Sequence, residues 1–159
     1  MKTKKLIRIA LILAVAGGIL GVGTVLYIFN KPHRDVLATE ADYSLTNSQI
    51  ISEYLENKIT ADDKYLSADG NSKILEVTGT ISKISENYNS NMVILLKEES
   101  DKAGVSATFT AETNHKISDL KIGEIITVKG VIRSGASYDD DLELYEHVIL
   151  EKSDLISQL

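Results

Sequence analysis

The sequence predicts a mainly β fold: a small closed barrel of five strands, preceded by an amphipathic helix and a single N-terminal transmembrane helix. Three observations carry this. An uncharged run of 21 residues extends from Ile9 to Phe29. Apolar residues recur at helical spacing between Ile50 and Tyr65. From Lys73 onward, short stretches alternate apolar and polar side chains between Gly-, Asn- and Asp-rich turns, the pattern of half-buried strands. With 159 residues there is room for one modest domain and its appendages.

The apolar run justifies the first element. At ~1.5 Å per residue it makes a helix of ~31 Å, matching the ~30 Å hydrocarbon core of a bilayer. A cleavable signal peptide has a shorter apolar stretch that ends in small residues. Here the run ends Tyr27-Ile28-Phe29-Asn30-Lys31-Pro32, so it reads as an uncleaved signal anchor over 9–29. Residues 1–8 form a basic tail with Lys2, Lys4, Lys5 and Arg8 and no acid. Basic flanks stay cytoplasmic, which places the amino terminus inside and the C-terminal domain outside the cytoplasmic membrane. Gly17 and Gly21 form a GxxxG pair suited to close approach of two such helices.

Residues 30–43 hold the only Pro and little periodicity, and read as a tether. An amphipathic helix follows over 44–66, with Thr46, Asn47 or Ser48 as N-cap. Ile50, Ile51, Tyr54, Leu55, Ala61 and Tyr65 form its apolar face, and Glu53, Glu56, Asp62 and Asp63 its wet one. Ser67–Asn71 is a turn by composition.

The barrel is expected over 73–153. Lys73–Ile84 buries Leu75, Val77 and Ile81, with Gly79 marking a bend or close approach. Met92–Leu96 is a short apolar strand, and Val105–Thr110 alternates with Phe109 inward. Asn114–Leu120 is one helical turn; Glu124–Arg133 and Leu142–Leu150 are the last two strands, joined by the polar loop Ser134–Asp141. Antiparallel closure of this set removes exposed edges. Three strands, a short helix and two strands is the order of an OB-fold.

The residues Ile51-Ser52-Glu53-Tyr54, Ala61, Lys64-Tyr65, Glu76-Val77-Thr78-Gly79, Leu120-Lys121-Ile122-Gly123 and Val128-Lys129-Gly130 resemble the tRNA_anti-like OB-fold proteins over about Ile50 to Leu150. The resemblance implies an N-terminal membrane or lipid anchor, a helix ending in an Ala-x-x-x-Tyr pattern, and an OB barrel. It carries no catalytic signature and implies no particular RNA substrate.

Composition narrows function further. There is no Cys, which excludes a disulfide scaffold, a Cys-ligated metal and a lipidated-Cys anchor. Setting aside the four N-terminal cations leaves 13 basic against 23 acidic residues, a formal charge of −10, and there is no Trp. A single-strand groove needs cations along the phosphates and aromatic stacking faces, so nucleic-acid binding is the alternative rather than the leading reading. No nucleophile elbow, phosphate loop or metal-binding helix is present, so neither an enzyme nor a cofactor is expected. His33, His115 and His147 follow no metal-ligand spacing, and Asp139-Asp140-Asp141 lacks the spaced ligands of a calcium loop. The expectation is a non-enzymatic module that binds a protein partner or envelope glycan. Its candidate ligand-binding residues are Tyr88 and Tyr138, in the loops flanking the OB binding face, with Ser106 and Thr108 on the face between.

Overall fold

The computed structural model describes residues 17–18, 21–25, 35–36 and 38–159, and the chain divides into Met1–Arg34 and Asp35–Leu159. In the first unit the described residues, Gly17 and Gly21 among them, are helical and exposed. The rest of the expected span 9–29 and its basic flank lie outside the described residues. Among the described residues no helix is long and apolar enough to cross a membrane.

The second unit begins with chain that packs rather than tethers. Val36 is buried with Ile74 and Val131, and Asp42 accepts a hydrogen bond from the Ile74 N–H at 2.8 Å. Tyr43–Thr46 forms a short strand, β1, parallel to the start of the first barrel strand. So the described residues among 35–43, expected as tether, pack against the fold.

The amphipathic segment is two helices, α1 (Asn47–Glu56) and α2 (Lys58–Tyr65). Thr46 caps α1 in a reciprocal box with Gln49, satisfying two N–H groups that helix geometry leaves orphaned. The break falls at Asn57, whose extended backbone (φ −153°, ψ 93°) ends α1 while its side chain caps α2. Ile50, Ile51, Tyr54, Ala61 and Tyr65 are buried. Leu55, expected among them, is 37% exposed, because at 3.6 residues per turn it falls at the margin of the stripe centred on Asn47, Ile50, Ile51 and Tyr54.

The barrel strands are β2 (Ile74–Glu86), β3 (Met92–Leu96), β4 (Val105–Phe109), β5 (Ile125–Ser134) and β8 (Val148–Gln158), with a separate hairpin of β6 (Ser137–Asp139) and β7 (Leu144–Glu146) inserted before β8. The ring runs β2-β3-β4-β8-β5 and back to β2. Every contact in it is antiparallel except β4 with β8, which is parallel. The expected all-antiparallel closure is thereby corrected, and the reason is parity: five strands cannot alternate direction around a ring, so at least one neighbouring pair must agree. The last strand is corrected too. The expected Leu142–Leu150 straddles the hairpin's second half and the beginning of β8, which continues to Gln158.

β2 serves two partners along one edge. β5 covers its other edge over Ile74–Thr80, while β1 fills positions 75–78 and β3 takes over from Ile81. The handover needs a close approach at Gly79, where a Cβ would lie 2.9 Å from the Asn47 Cβ and 3.2 Å from the Leu96 Cβ. A register shift follows between Ile81 and Lys83. The inward faces of all five strands, with Phe109 and Ile117 fully buried, join the helix residues in one core. Ile117 comes from the 3-10 turn Asn114–Ile117, the observed form of the expected short helix.

Candidate binding groove

The strand register separates the expected site residues. β2 ends at Glu86 opposite Met92, and β5 returns so that its C-terminal half lies beside the start of β2. The loop Asn87–Asn91 bearing Tyr88 therefore leaves one end of the barrel, and the hairpin bearing Tyr138 leaves the other. Tyr88 is fully exposed. Its loop is tied to the 3-10 turn through Asn114, which accepts from the Met92 N–H and donates to the Ser90 carbonyl.

Ser106 and Thr108 do lie on the outward face of the sheet, half-buried. In register with them run Leu95 and Ile149 beside Ser106, and Val93 beside Thr108. This strip carries no aromatic side chain, and its nearest cation in register is Lys83 on β2, opposite Leu95.

Tyr138 instead joins a groove of about 390 Å³ where the hairpin faces α1, α2 and the β3–β4 connection. Tyr54, Leu55 and Ala136 line it along the helix and barrel side; Tyr138 and Tyr145 line it from the hairpin. Those two rings are cross-strand partners with centroids 4.9 Å apart, tilted by 55°. Lys58, at the start of α2, and Lys102, in the β3–β4 connection, bring two ammonium groups; Lys102 Nζ stands 5.6 Å from the centre of the Tyr145 ring. At that range an ammonium is attracted to the ring's negative face. Neither lysine enters an ion pair among the described residues.

Each wall is held by its own hydrogen bonds. On the helix side, Asp101 accepts from Asn47 Nδ2 at 2.6 Å and Ser48 Oγ at 2.9 Å, fastening the β3–β4 connection to the start of α1. Glu53 accepts from Lys64 Nζ and from the Tyr65 hydroxyl, both at 2.8 Å. Burial alone would raise the Glu53 carboxyl, but these two donors hold it below the ordinary range, and the same carboxylate raises Lys64. Tyr65 in turn meets Tyr54 in a stacked contact and Tyr43 edge-on.

On the hairpin side, Gly104 N–H donates to His147 Nδ1 at 3.0 Å, and Val148 N–H donates to the Gly104 carbonyl at 3.0 Å. The connection carrying Lys102 and the strand carrying Tyr145 are thus pinned together next to the groove. Burial, with Lys97 nearby, holds His147 below the usual imidazole range and so in the neutral form that accepts this bond.

Gly135 admits the hairpin past the helices: a Cβ there would fall 1.8 Å from Tyr54 Cε1. The Tyr54 hydroxyl is buried without a hydrogen-bond partner, and burial followed by the Asp62 charge strongly raises its pKa.

Of the remaining candidates, His33 lies outside the described residues. The Asp139 carboxylate accepts from the backbone N–H groups of Asp141 and Leu142, closing its own turn. Among the described residues no cluster of acidic and His side chains could hold a metal. Tyr145 is hidden in the sequence by the continuous pattern Leu142–Leu150, and Lys58 and Lys102 by distance along the chain, since only the fold brings α2 and the β3–β4 connection to the hairpin. The available signal was the symmetry of Tyr138 and Tyr145 about a turn-forming Asp run, which marks a hairpin.

The closed five-stranded ring with a turn of helix between its third and fourth strands, and its elaboration before the last, is an OB-type barrel. The tRNA_anti-like family profile matches residues 1–142, and the chain belongs to that family. Among solved structures it is similar to a lipoprotein from Klebsiella pneumoniae subsp. pneumoniae to which nucleic-acid binding is ascribed. The TM-score is 0.54 at 15% identity, over 80% of this chain and 100% of that one. At that identity the likeness concerns the fold. No curated protein matches the sequence.

Proposed function

We propose that this chain is a non-enzymatic binding module, held in the cytoplasmic membrane by residues 9–29 with its OB barrel outside, and that it binds a protein partner or envelope glycan. The observation that carries the reading is the outward strip of β3, β4 and β8. Val93, Leu95, Ser106, Thr108 and Ile149 offer van der Waals contact and neutral hydroxyls there, with neither stacking faces nor a track of cations. A phosphate chain needs both. The basic N-terminal flank supplies the orientation.

A second reading, a single-stranded nucleic-acid binder, draws on the lipoprotein similar in fold. One experiment separates the two locations. Alkaline phosphatase fused after Leu159 is active only outside the cytoplasm, and the expected result is an active fusion. An inactive phosphatase fusion, together with an active cytoplasmic reporter at the same position, overturns the proposed orientation.

A further inference from the structure

The groove beside the hairpin has a composition unlike the rest of this acidic surface, and that composition specifies a ligand. We infer that it is a saccharide site selective for a sugar bearing a carboxylate, the ring lying on Tyr138, which Tyr145 backs, and the carboxylate meeting Lys58 and Lys102. The inference deepens the binding-module reading and rests on it.

Four features point the same way. The volume, about 390 Å³, falls in the range of small-molecule sites, roughly 300–1,000 Å³. Tyrosine faces present an apolar surface to the C–H side of a sugar ring while their hydroxyls remain available to its polar edge. Tyr138 is 47% exposed, so its ring is open to a ligand. Finally, Lys58 and Lys102 enter no ion pair among the described residues, a state they share with Lys83, Lys97, Lys121 and Lys152; what sets these two apart is that both line one groove with two tyrosine rings. Two cations left unneutralised on one groove are placed to receive an anion.

The hairpin limits which anion. Successive strand residues alternate between the two faces, so the pair Asp139–Leu144 faces away from Tyr138 and Tyr145, while Ser137, whose hydroxyl donates to the Glu146 carboxylate, reaches the groove at the base of the hairpin. The turn beyond the Asp139–Leu144 pair holds Asp140, Asp141 and Glu143. A compact ligand with one carboxylate has the two lysines of the groove to meet and no further charge to place near that turn. A polyanionic strand tracking out of the groove runs into it and is repelled.

The test uses the full-length chain in detergent micelles and titration calorimetry with a trisaccharide bearing one terminal glucuronate, its methyl ester, maltotriose, an Asp-rich hexapeptide and oligothymidylate. Binding of the uronate, weakened about tenfold or more by esterification and equally by the Lys58→Ala/Lys102→Ala double variant, is the expected result; a lost charge-assisted hydrogen bond has that size. Both lysines lie on the surface of the groove, so an unchanged thermal unfolding curve shows that the variant is folded. Tyr138→Ala and Tyr145→Ala should each weaken the same ligand. Equal affinity for the uronate and maltotriose overturns carboxylate selectivity, and no binding of either saccharide at millimolar concentration overturns the site. Binding of the acidic peptide alone overturns the saccharide and leaves the protein-binding module standing. Tight, strongly salt-dependent binding of oligothymidylate overturns both.

Discussion

At the scale of single residues, Gly135 and Tyr54 make the sharpest demand. A methyl group at 135 would sit 1.8 Å from Cε1 and 2.3 Å from Cζ of a ring that is itself 2% exposed. Neither the ring nor the backbone has space to yield, so Gly135→Ala should cost about 3 kcal/mol, at the upper end of overpacking, and lower the urea midpoint. The two tyrosine hydroxyls differ in their partners. That of Tyr54 is buried beside the Asp62 carboxylate without closing to bonding distance, whereas that of Tyr65 donates to the Glu53 carboxylate at 2.8 Å. Tyr54→Phe should therefore change stability by less than about 1 kcal/mol, and Tyr65→Phe should cost about 1–2 kcal/mol. Chemical denaturation of the two variants side by side checks the contrast. Tyr54 and Tyr65 were legible as core residues from their helical spacing; the need for Gly at 135 was not. That need comes from a ring 81 positions earlier in the chain, and no local pattern encodes such a contact.

At the scale of elements, the hydrophobic period located nearly every strand, because each barrel strand has one wet face and one buried face. It failed where that contrast is absent. Strand β1 alternates only between half-buried and exposed positions, and the hairpin pairs with itself rather than with the barrel. The hairpin's attachment through His147 has a consequence for pH. Its imidazole titrates below the ordinary range in the fold, while in the unfolded chain it takes up a proton near pH ~6.5. The unfolded state therefore binds more protons in the window just below pH ~6.5, and stability falls as the pH drops through it. Protonation also removes the acceptor for the Gly104 N–H. Thermal midpoints measured from about pH 7.5 to 5.5 should decline more steeply for the wild type than for His147→Gln, which has no charge to gain there. Equal slopes would remove His147 from the pH response.

At the scale of the whole molecule, charge separates the chain's two units more clearly than any motif does. All 23 acidic residues lie from Asp35 onward, against 11 basic ones, whereas residues 1–34 carry six basic and no acidic side chains. The family name and the fold shared with a nucleic-acid-associated lipoprotein both invite an RNA or DNA ligand, yet fold does not settle what a site binds. The electrostatics give a quantitative discriminator. A protein that neutralises several phosphates releases counterions, and its affinity falls with salt at a log–log slope of about −0.7 per phosphate on single strands. The barrel has no connected track of cations on its outward strip, and its groove offers two lysines beside an acidic turn. Engaging at most those two phosphates, the chain should show a slope no steeper than about −1.4 and a dissociation constant weaker than about 100 μM at ~0.15 M salt. Fluorescence anisotropy of a labelled oligothymidylate across a salt series, with the full-length protein in detergent, measures both quantities. A slope near −4 with sub-micromolar affinity would require five or six phosphate contacts, more than the groove and strip supply, and would move the ligand-binding surface to a face of the barrel that these two do not include.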